Sequence, residues 1–161
     1  GWVHTVNYKN WKLNAFFRGA FGHSLVNLNR MFYEPIDQGA LSSYNRIITD
    51  KAVEGLLYSR FSSLYVEKAD YLKLDHITVS HLFNVNAIEA ISKINAYITV
   101  ENVFTLTGYT GLSPEPVLED FGPIDNGGRR SDNPNRLSMG IDRRMNYLPS
   151  RSFIFGVNLI F

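Results

Sequence analysis

Histidines and carboxylates are the residues of this chain that could bind a metal ion. His76 and His81 have four residues between them. In an extended strand this spacing places the two rings on opposite faces, which does not suit a shared ion. Acidic residues cluster in one polar stretch: Glu115, Glu119, Asp120 and Asp125. Their spacing is not that of a calcium-binding loop, so the pattern predicts a solvated acidic loop, and the same interpretation applies to Glu67 and Asp70.

No motif of the sequence predicts catalysis. The chain has no Cys, and it contains neither a G-x-S-x-G elbow nor a glycine-rich phosphate loop. A group of arginines lies near the acidic stretch: Arg129, Arg130, Arg136, Arg143 and Arg144. Guanidinium groups can pair with phosphates or with an acidic substrate, but the nearby carboxylates favour internal ion pairs. We therefore expect that the chain is not an enzyme and needs no cofactor.

Aromatic residues are abundant, at 14% of the 161 residues, and they are the strongest candidates for binding. Aromatic faces stack on sugar rings. The candidate contacts to a substrate, or to a partner protein that covers it as a lid, are Tyr33, Tyr44, Tyr58 and Tyr65. Packing inside their own segment is an equally supported alternative. Trp2 and Trp11 are predicted to lie at strand ends next to a short turn, as in the aromatic girdle of a membrane interface. The net charge of +1 gives no reason to expect a nucleic-acid partner.

Alternation of apolar and polar residues predicts the elements that position these side chains. The clearest case begins at Trp11, where every second residue is apolar or small as far as Phe21. Five strands are predicted, near residues 2–8, 11–21, 70–83, 93–106 and 152–161. In the third strand the alternation changes faces midway, which predicts a β-bulge.

The connections between these strands alternate between short and long. The long connections are residues 22–69 and 107–151, and this alternation is typical of an up-and-down membrane barrel. The predicted strands have about the 9–11 residues that a tilted strand needs to cross a bilayer. The predicted fold class is all-β, a transmembrane antiparallel up-and-down β-barrel of about five strands with two long extracellular loops. A soluble β-sandwich that binds carbohydrate is the alternative.

Five strands cannot close a barrel, because single-chain barrels begin at about eight strands. No apolar run approaches the roughly 18 residues of a membrane helix, and the first residues show no signal-peptide pattern. We therefore expect the remaining strands either in an upstream part of the chain or in a separate polypeptide.

Four stretches of the sequence resemble SusC/RagA-type TonB-dependent outer-membrane transporters. They are FRGAFGH at 17–23, YLKLDHITVS at 71–80, NVFTLTGYTGLSPE at 102–115 and YLPSRSFIFGVNLIF at 147–161. They occur in the order in which the family has them and span almost the whole chain. Two positions depart from the family pattern: Ser113 stands where Asp is usual, and Leu148 is inserted before Pro149.

The resemblance implies that residues 1–161 are the C-terminal part of the β-barrel of an importer in the bacterial cell outer membrane. Such proteins import oligosaccharides or peptides, powered through TonB, whose contact lies in the N-terminal part of the protein. The implied partners are the rest of the barrel and its plug, a SusD-like lipoprotein, TonB and outer-membrane lipid. A barrel of the same family that serves as a structural or assembly subunit without transport remains the alternative.

The last strand resembles the C-terminal signal that the outer-membrane assembly machinery reads. The residues that carry this resemblance are Gly156, Leu159 and Phe161. Ile154 stands where that signal usually has a polar residue, and an ordinary edge strand is the alternative. The strand's outward set is predicted as Phe153, Phe155, Val157, Leu159 and Phe161, with Gly156 and Asn158 turned to the lumen.

Overall fold

The structure is a computed structural model that describes residues 1–35, 47–56, 60–85, 91–115, 140–142 and 149–161. The chain divides into two compact units. Residues 1–20, 71–106 and 149–161 form the first, which we name the strand unit. Residues 21–70 and 107–148 belong to the second, which we name the loop unit.

The strand unit is a five-stranded sheet with the order β1-β2-β5-β6-β8. Its strands are β1 (Trp2–Tyr8), β2 (Trp11–Ala20), β5 (Tyr71–Asn84), β6 (Lys93–Thr107) and β8 (Ser152–Ile160). The β1–β2, β2–β5 and β6–β8 pairs are antiparallel. The five predicted strands are thus arranged in the sheet in the same order as in the sequence. The all-β prediction is confirmed for the described residues, with one short helix as the exception.

Two local features explain the register of this sheet. Lys9 adopts a φ of 53° in the turn after β1, and the Asn10 carbonyl accepts a hydrogen bond from the Leu82 amide at 2.9 Å. Phe16 and Phe17 pair with His76 and Leu74 respectively. The residue between those partners, Asp75, is therefore the extra residue of a β-bulge, as the alternation predicted.

The loop unit contains regular structure where the sequence predicted only long connections. Its small sheet has the order β4-β3-β7, with β3 at Ser24–Asn27, β4 at Val66–Lys68 and β7 at Ile141–Asp142. Helix α1 (Leu28–Tyr33) follows β3 directly. The Asn27 side chain accepts a hydrogen bond from the Arg30 amide and so caps the helix start.

Among the described residues, the loop unit has one small cluster of buried apolar side chains. Leu25, Ala69 and Tyr109 form its buried apolar cluster, while several fully buried side chains are polar or charged. No helix in the described ranges has both the length and the apolar character needed to cross a bilayer.

Candidate membrane face and charged loop core

One face of the strand unit carries mostly polar side chains, although Val3, Phe16 and Ile154 also lie on it. Asn14 pairs with Thr5 on one side and with Thr78 on the other, and the Thr78 and Thr99 hydroxyls lie 2.8 Å apart. We name this side the polar face. It includes Thr5, Asn7, Lys12, Asn14, Thr78, Ser80, Asn95, Tyr97, Thr99, Gly156 and Asn158.

A shallow cavity of about 300 Å³ lies on the polar face. Its lining consists of Lys12, Asn14, Thr78, Ser80, Asn95 and Tyr97. Hydroxyl, amide and ammonium groups of this kind donate and accept hydrogen bonds. The cavity can therefore hold water or a polar ligand.

The opposite face of the sheet carries mostly apolar side chains, and most of them are exposed or half-buried. Leu13 pairs with Val79, and Ile98 pairs with Phe155, whose exposed fraction is 74%. We name this side the apolar face; its members include Val6, Leu13, Ala15, Ile77, Val79, Ala96, Ile98, Val100, Phe153, Phe155, Val157 and Leu159. A continuous apolar surface of this kind suits a lipid or protein environment better than water.

Rings cluster at both ends of the apolar face. Trp2 stacks on Phe17 at a centroid distance of 5.1 Å, and Trp11 lies 4.4 Å from the His81 ring. Trp11 adjoins the short turn, but Trp2 begins β1 and lies at its far end, so the prediction that both lie next to the turn is wrong for Trp2. The seven residues of β1 span about 20 Å, close to the roughly 25 Å apolar band of outer-membrane barrels. The girdle role of the two tryptophans remains a prediction.

The two strand histidines occupy opposite faces, as their spacing predicted. His76 pairs with Phe16 on the polar side, whereas His81 pairs with Trp11. In the described part of the chain, no group of three or more His, Asp or Glu side chains is arranged to hold a metal ion.

The last strand, β8, is tied to β6 at both ends. The Asn102 side-chain amide donates to the Ser150 carbonyl at 2.8 Å, and the Arg151 guanidinium donates to the Val103 carbonyl. At the other end the Ser92 amide donates to the Ile160 carbonyl at 2.8 Å. These contacts hold the register of the strand on which the sorting prediction depends.

Gly156 lies opposite Tyr97, and a Cβ atom on this glycine would collide with the Tyr97 ring. The aromatic ring therefore fills the space that the glycine leaves free. Leu159 pairs with Ile94, and Phe161 is exposed at the end of the strand. The packing gives Gly156 a structural reason to be present, independent of any signal.

A buried arginine organises the loop unit. The Arg30 Nε atom lies 2.7 Å from a Glu34 carboxylate oxygen, and its Nη1 atom lies 2.9 Å from a Glu67 oxygen. The Arg30 and Glu34 side chains are each 2% exposed and that of Glu67 is 4% exposed. Arg30 Nη2 also donates to the Lys51 carbonyl at 2.9 Å. Each charge of the network is thus paired, as buried charges require.

Glu67 is the centre of this network. Its second carboxylate oxygen lies 2.6 Å from Lys51 Nζ, and the Thr110 hydroxyl donates to it at 2.8 Å. Burial disfavours the charged form, but hydrogen bonds from Lys51, Arg30 and Thr110 outweigh it and lower the carboxyl's pKa to about 2, from 4.5. The prediction that Glu67 is a solvated rim carboxylate is wrong, because β4 turns this side chain inward to Arg30.

The stretch from Tyr109 to Leu112 supplies much of the remaining core. The Tyr109 hydroxyl donates to Asp142 at 2.8 Å, and the Leu112 amide donates to the same carboxylate oxygen at 3.1 Å. Burial and Asp142 raise the pKa of the Tyr109 hydroxyl. A Cβ atom at Gly111 would collide with Tyr109 and Asp142. This part of the family-like sequence thus builds the interior of the loop unit, although spacing alone gave no sign of its partners.

The aromatic binding candidates have different surroundings. Tyr33 is half-buried at the end of α1, and Tyr44 and Tyr58 lie outside the described residues. Tyr65 is 1% exposed, and the Arg30 guanidinium lies 5.8 Å from its ring centre. This packing leaves Tyr65 no free ring face, so it does not fit the predicted substrate contact.

A second cavity, of about 610 Å³, lies in the loop unit beside the charged core. Its lining consists of Arg30, Lys51, Leu64, Val66, Glu67, Lys68, Asp70 and Gly108. Arg30 and Lys51 already pair with carboxylates, so the cavity wall is close to neutral. The arginines of the sequence group, Arg129, Arg130, Arg136, Arg143 and Arg144, lie outside the described residues.

A sheet with one polar and one apolar, exposed face has the character of a transmembrane β-sheet. Over its whole length the chain is 24% identical to TonB-dependent receptor P3 of Formosa agariphila, of which it covers 16%. A search of protein-family models found no match.

Solved structures of RagAB share the fold of this chain. One is described as the RagAB peptide transporter, with a TM-score of 0.65 and 20% identity over 94% of this chain. The RagAB peptide importer in its open-open state has a TM-score of 0.67 and 19% identity over 96% of the chain. In each case the chain covers 16% of the matched protein.

The chain is thus similar over its whole length to a part of a TonB-dependent receptor, and it has the fold of the matching part of RagAB. Its relatives are named as a receptor and as transporters, not as enzymes.

Proposed function

We propose that the strand unit is part of the wall of a TonB-dependent importer, with its apolar face toward lipid and its polar face toward the lumen. The observation that carries this proposal is the opposite polarity of the two faces. In a bilayer, exposed side chains such as Phe155 and Ile98 contact lipid instead of water. On the other face, Thr78 and Thr99 keep their hydrogen bond to each other.

The proposed cargo is an oligosaccharide or a peptide. Both are rich in hydroxyl or amide groups, which match the side chains that line the polar-face cavity. The description of RagAB as a peptide transporter supports the peptide alternative, whereas the relative from Formosa agariphila is named only as a receptor.

The proposed partner of the loop unit is a SusD-like lipoprotein. Phe21, Ile48 and Phe61 are large apolar side chains that this unit exposes, and exposed apolar groups outside a membrane are typical of protein interfaces. Tyr33 remains a candidate contact for the lipoprotein or for substrate. The plug and the TonB contact belong to other parts of the protein.

The wall can be tested with two neighbouring residues of β6. In cells that produce the full-length protein, Ile98→Cys and Thr99→Cys are each labelled with a bulky maleimide, and uptake of peptides and of oligosaccharides is measured with and without functional TonB. A label at Thr99 should lower TonB-dependent uptake because it narrows the lumen, while a label at Ile98 should leave it unchanged.

Equal effects of the two labels would contradict the assigned faces. If the unlabelled protein supported no TonB-dependent uptake of either substrate, the structural-subunit alternative would replace transport.

The lipoprotein contact can be tested by co-purification from the outer membrane. Ile48→Ser and Phe61→Ser in the full-length protein should reduce the amount of SusD-like lipoprotein recovered, because both remove exposed apolar contacts. Glu54→Gln, at an exposed position of the same unit, is the matched control. Undiminished recovery with both serine variants would contradict this partner surface.

We also propose that the end of β8 is read during outer-membrane assembly. The residues concerned are Gly156 and Leu159 of β8 and Phe161, which follows this strand. Deletion of Phe161 from the full-length protein should lower its outer-membrane level, measured by immunoblot of membrane fractions. An unchanged level would count against this role.

A further inference from the structure

We propose that the turn end of the strand unit binds the phosphate headgroup of an anionic phospholipid. The site, which we name the turn patch, consists of Tyr8, Lys9, Trp11, His81 and Phe83. This inference rests on the proposed orientation of the apolar face toward lipid. The inference adds a preference for anionic headgroups, which an aromatic girdle alone does not imply.

Three rings form the apolar part of the turn patch. The His81 ring lies 4.4 Å from that of Trp11 and 4.3 Å from that of Phe83. Trp11 and Phe83 are both exposed. Their faces can pack against the glycerol and upper acyl region of a lipid, where amphipathic rings are enriched.

Lys9 supplies the positive charge. Its Nζ atom lies 5.4 Å from the centre of the Tyr8 ring, and its backbone is fixed in the left-handed region at a φ of 53°. The following residue, Asn10, is anchored to β5 through the Leu82 amide. The ammonium group is therefore held at the end of the strands, where a long side chain can reach a headgroup phosphate.

His81 supplies a hydrogen-bond donor at the same place. Its Nδ1 atom is enclosed and has no hydrogen-bond partner among the residues that the structure describes. A neutral imidazole that cannot use Nδ1 carries its proton on Nε2 most favourably, since that atom can then donate outward. A phosphate oxygen beside Lys9 is an acceptor that matches this donor.

The other end of the apolar face provides an internal contrast. Trp2, His4 and Phe17 also form a ring cluster there, but on that side of the described sheet no lysine accompanies them. Rings at both ends fit a membrane interface. In the described sheet, the basic residues at the other end, Arg18 and Lys73, lie on the polar face and pair with Asp75, whereas Lys9 of the turn patch has no carboxylate partner. The anionic preference is therefore assigned to the turn end alone.

The experiment uses full-length protein in nanodiscs of phosphatidylcholine with an equal share of phosphatidylglycerol, and native mass spectrometry counts the lipids retained after release. Wild-type protein should retain phosphatidylglycerol over phosphatidylcholine. Lys9→Gln should weaken this retention roughly fivefold, as expected for one basic residue near a lipid surface. His81→Phe keeps a ring but removes the donor, so it should also lower retention.

Lys12→Gln is the matched control, because Lys12 lies close to the turn but belongs to the polar face. It should leave retention unchanged. Equal retention of the two lipids by wild-type protein would overturn the proposal, as would an equal loss with Lys12→Gln and Lys9→Gln. Displacement of phosphatidylglycerol by the same concentration of inorganic phosphate would show a free-anion site and overturn the lipid assignment.

Failure of the underlying orientation gives a different result. In that case no variant, including wild type, would retain either lipid, and the protein would remain monodisperse without detergent. Gel mobility of unheated and heated samples establishes that each variant has folded, so a misfolded variant is recognised before its lipids are counted.

Discussion

The strand unit and the loop unit place their polar and apolar residues in opposite ways. In the strand unit, large apolar side chains such as Phe155 are exposed, and hydroxyl groups such as those of Thr78 and Thr99 pair across strands. In the loop unit, Arg30, Glu34 and Glu67 are buried, and the buried apolar cluster has three members among the described residues.

The proposed wall function accounts for this difference by two solvents, lipid for the strand unit and water for the loop unit. A sheet that faces lipid gains nothing from hiding apolar side chains, and it depends on backbone pairing between strands. A segment in water can also be stabilised by polar interactions, and in its described part the loop unit buries charges that are paired with one another. Removal of one member of such a network is expected to cost far more than loss of a single contact in the sheet.

The largest expected effect is that of Glu67→Ala. The substitution leaves Arg30 buried without one of its two carboxylate partners, and breaking a buried pair in this way costs about 3–5 kcal/mol. Trypsin should cleave the loop unit of the purified full-length protein much faster. The exposed-site variant Glu54→Ala is the control, and an unchanged cleavage rate for Glu67→Ala would show that the network does not stabilise the unit.

Acid should distinguish the two units in the same way. The pKa of Glu67 is about 2 in the folded protein, whereas the ordinary value of a glutamate is 4.5. The ionised carboxylate therefore contributes fully to stability above pH 4.5, and this contribution declines as the pH falls toward 2. The shift corresponds to a contribution on the order of 3 kcal/mol. Pepsin digestion between pH 5 and pH 2 should open the loop unit first, and simultaneous loss of the sheet would contradict the comparison.

Tyr109→Phe should have a smaller effect. It removes the hydroxyl that donates to Asp142 but leaves the Leu112 amide bonded to the same carboxylate. Loss of one hydrogen bond to a charged group costs about 1.5–3 kcal/mol. Proteolysis of the loop unit at increasing denaturant concentrations measures this cost, and its midpoint should be lower for Tyr109→Phe than for the unchanged protein. Tyr33→Phe, at a half-buried tyrosine, is the control.

In the strand unit the most sensitive position is Gly156. Gly156→Ala places a methyl group against Tyr97, and overpacking of this kind costs about 1–3 kcal/mol. The outer-membrane level of the full-length protein should fall, and a second substitution, Tyr97→Ala, should restore it. If the double variant assembled no better than Gly156→Ala, the glycine would be required for recognition by the assembly machinery and not for packing.

The smallest effect is expected from Thr78→Val combined with Thr99→Val. The pair removes one hydrogen bond between two side chains on the polar face, and replacement of both partners by apolar groups of similar shape is nearly neutral. The thermal midpoint of the full-length protein should change by less than that of Gly156→Ala. A larger decrease would mean that hydroxyl pairs, and not backbone pairing, hold this sheet.

Alternation made the sheet predictable from sequence. The β2 pattern beginning at Trp11 and the change of faces near Asp75 depend only on neighbouring residues, so the strands, their order and the bulge could be inferred. The family-like stretches indicated the transporter fold for the same reason, since they lie mostly in or beside these strands.

The charged loop core could not be predicted in this way. Arg30 meets Glu67, and Tyr109 meets Asp142, across long separations in sequence, and no local periodicity links such partners. Glu67 was therefore interpreted as a solvated carboxylate, and Tyr65 as an accessible ring. In both cases tertiary packing determined the surroundings of a side chain whose type alone suggested exposure.

In the proposed wall, the strand unit separates lipid from a polar lumen. Spin labels placed one at a time at positions 153–158 of β8, in full-length protein in lipid bilayers, test it most directly. We predict that accessibility to oxygen, which dissolves in lipid, peaks at 153, 155 and 157, while accessibility to a water-soluble nickel chelate peaks at 154, 156 and 158. Accessibility that does not alternate, or alternates with the opposite phase, would contradict the account.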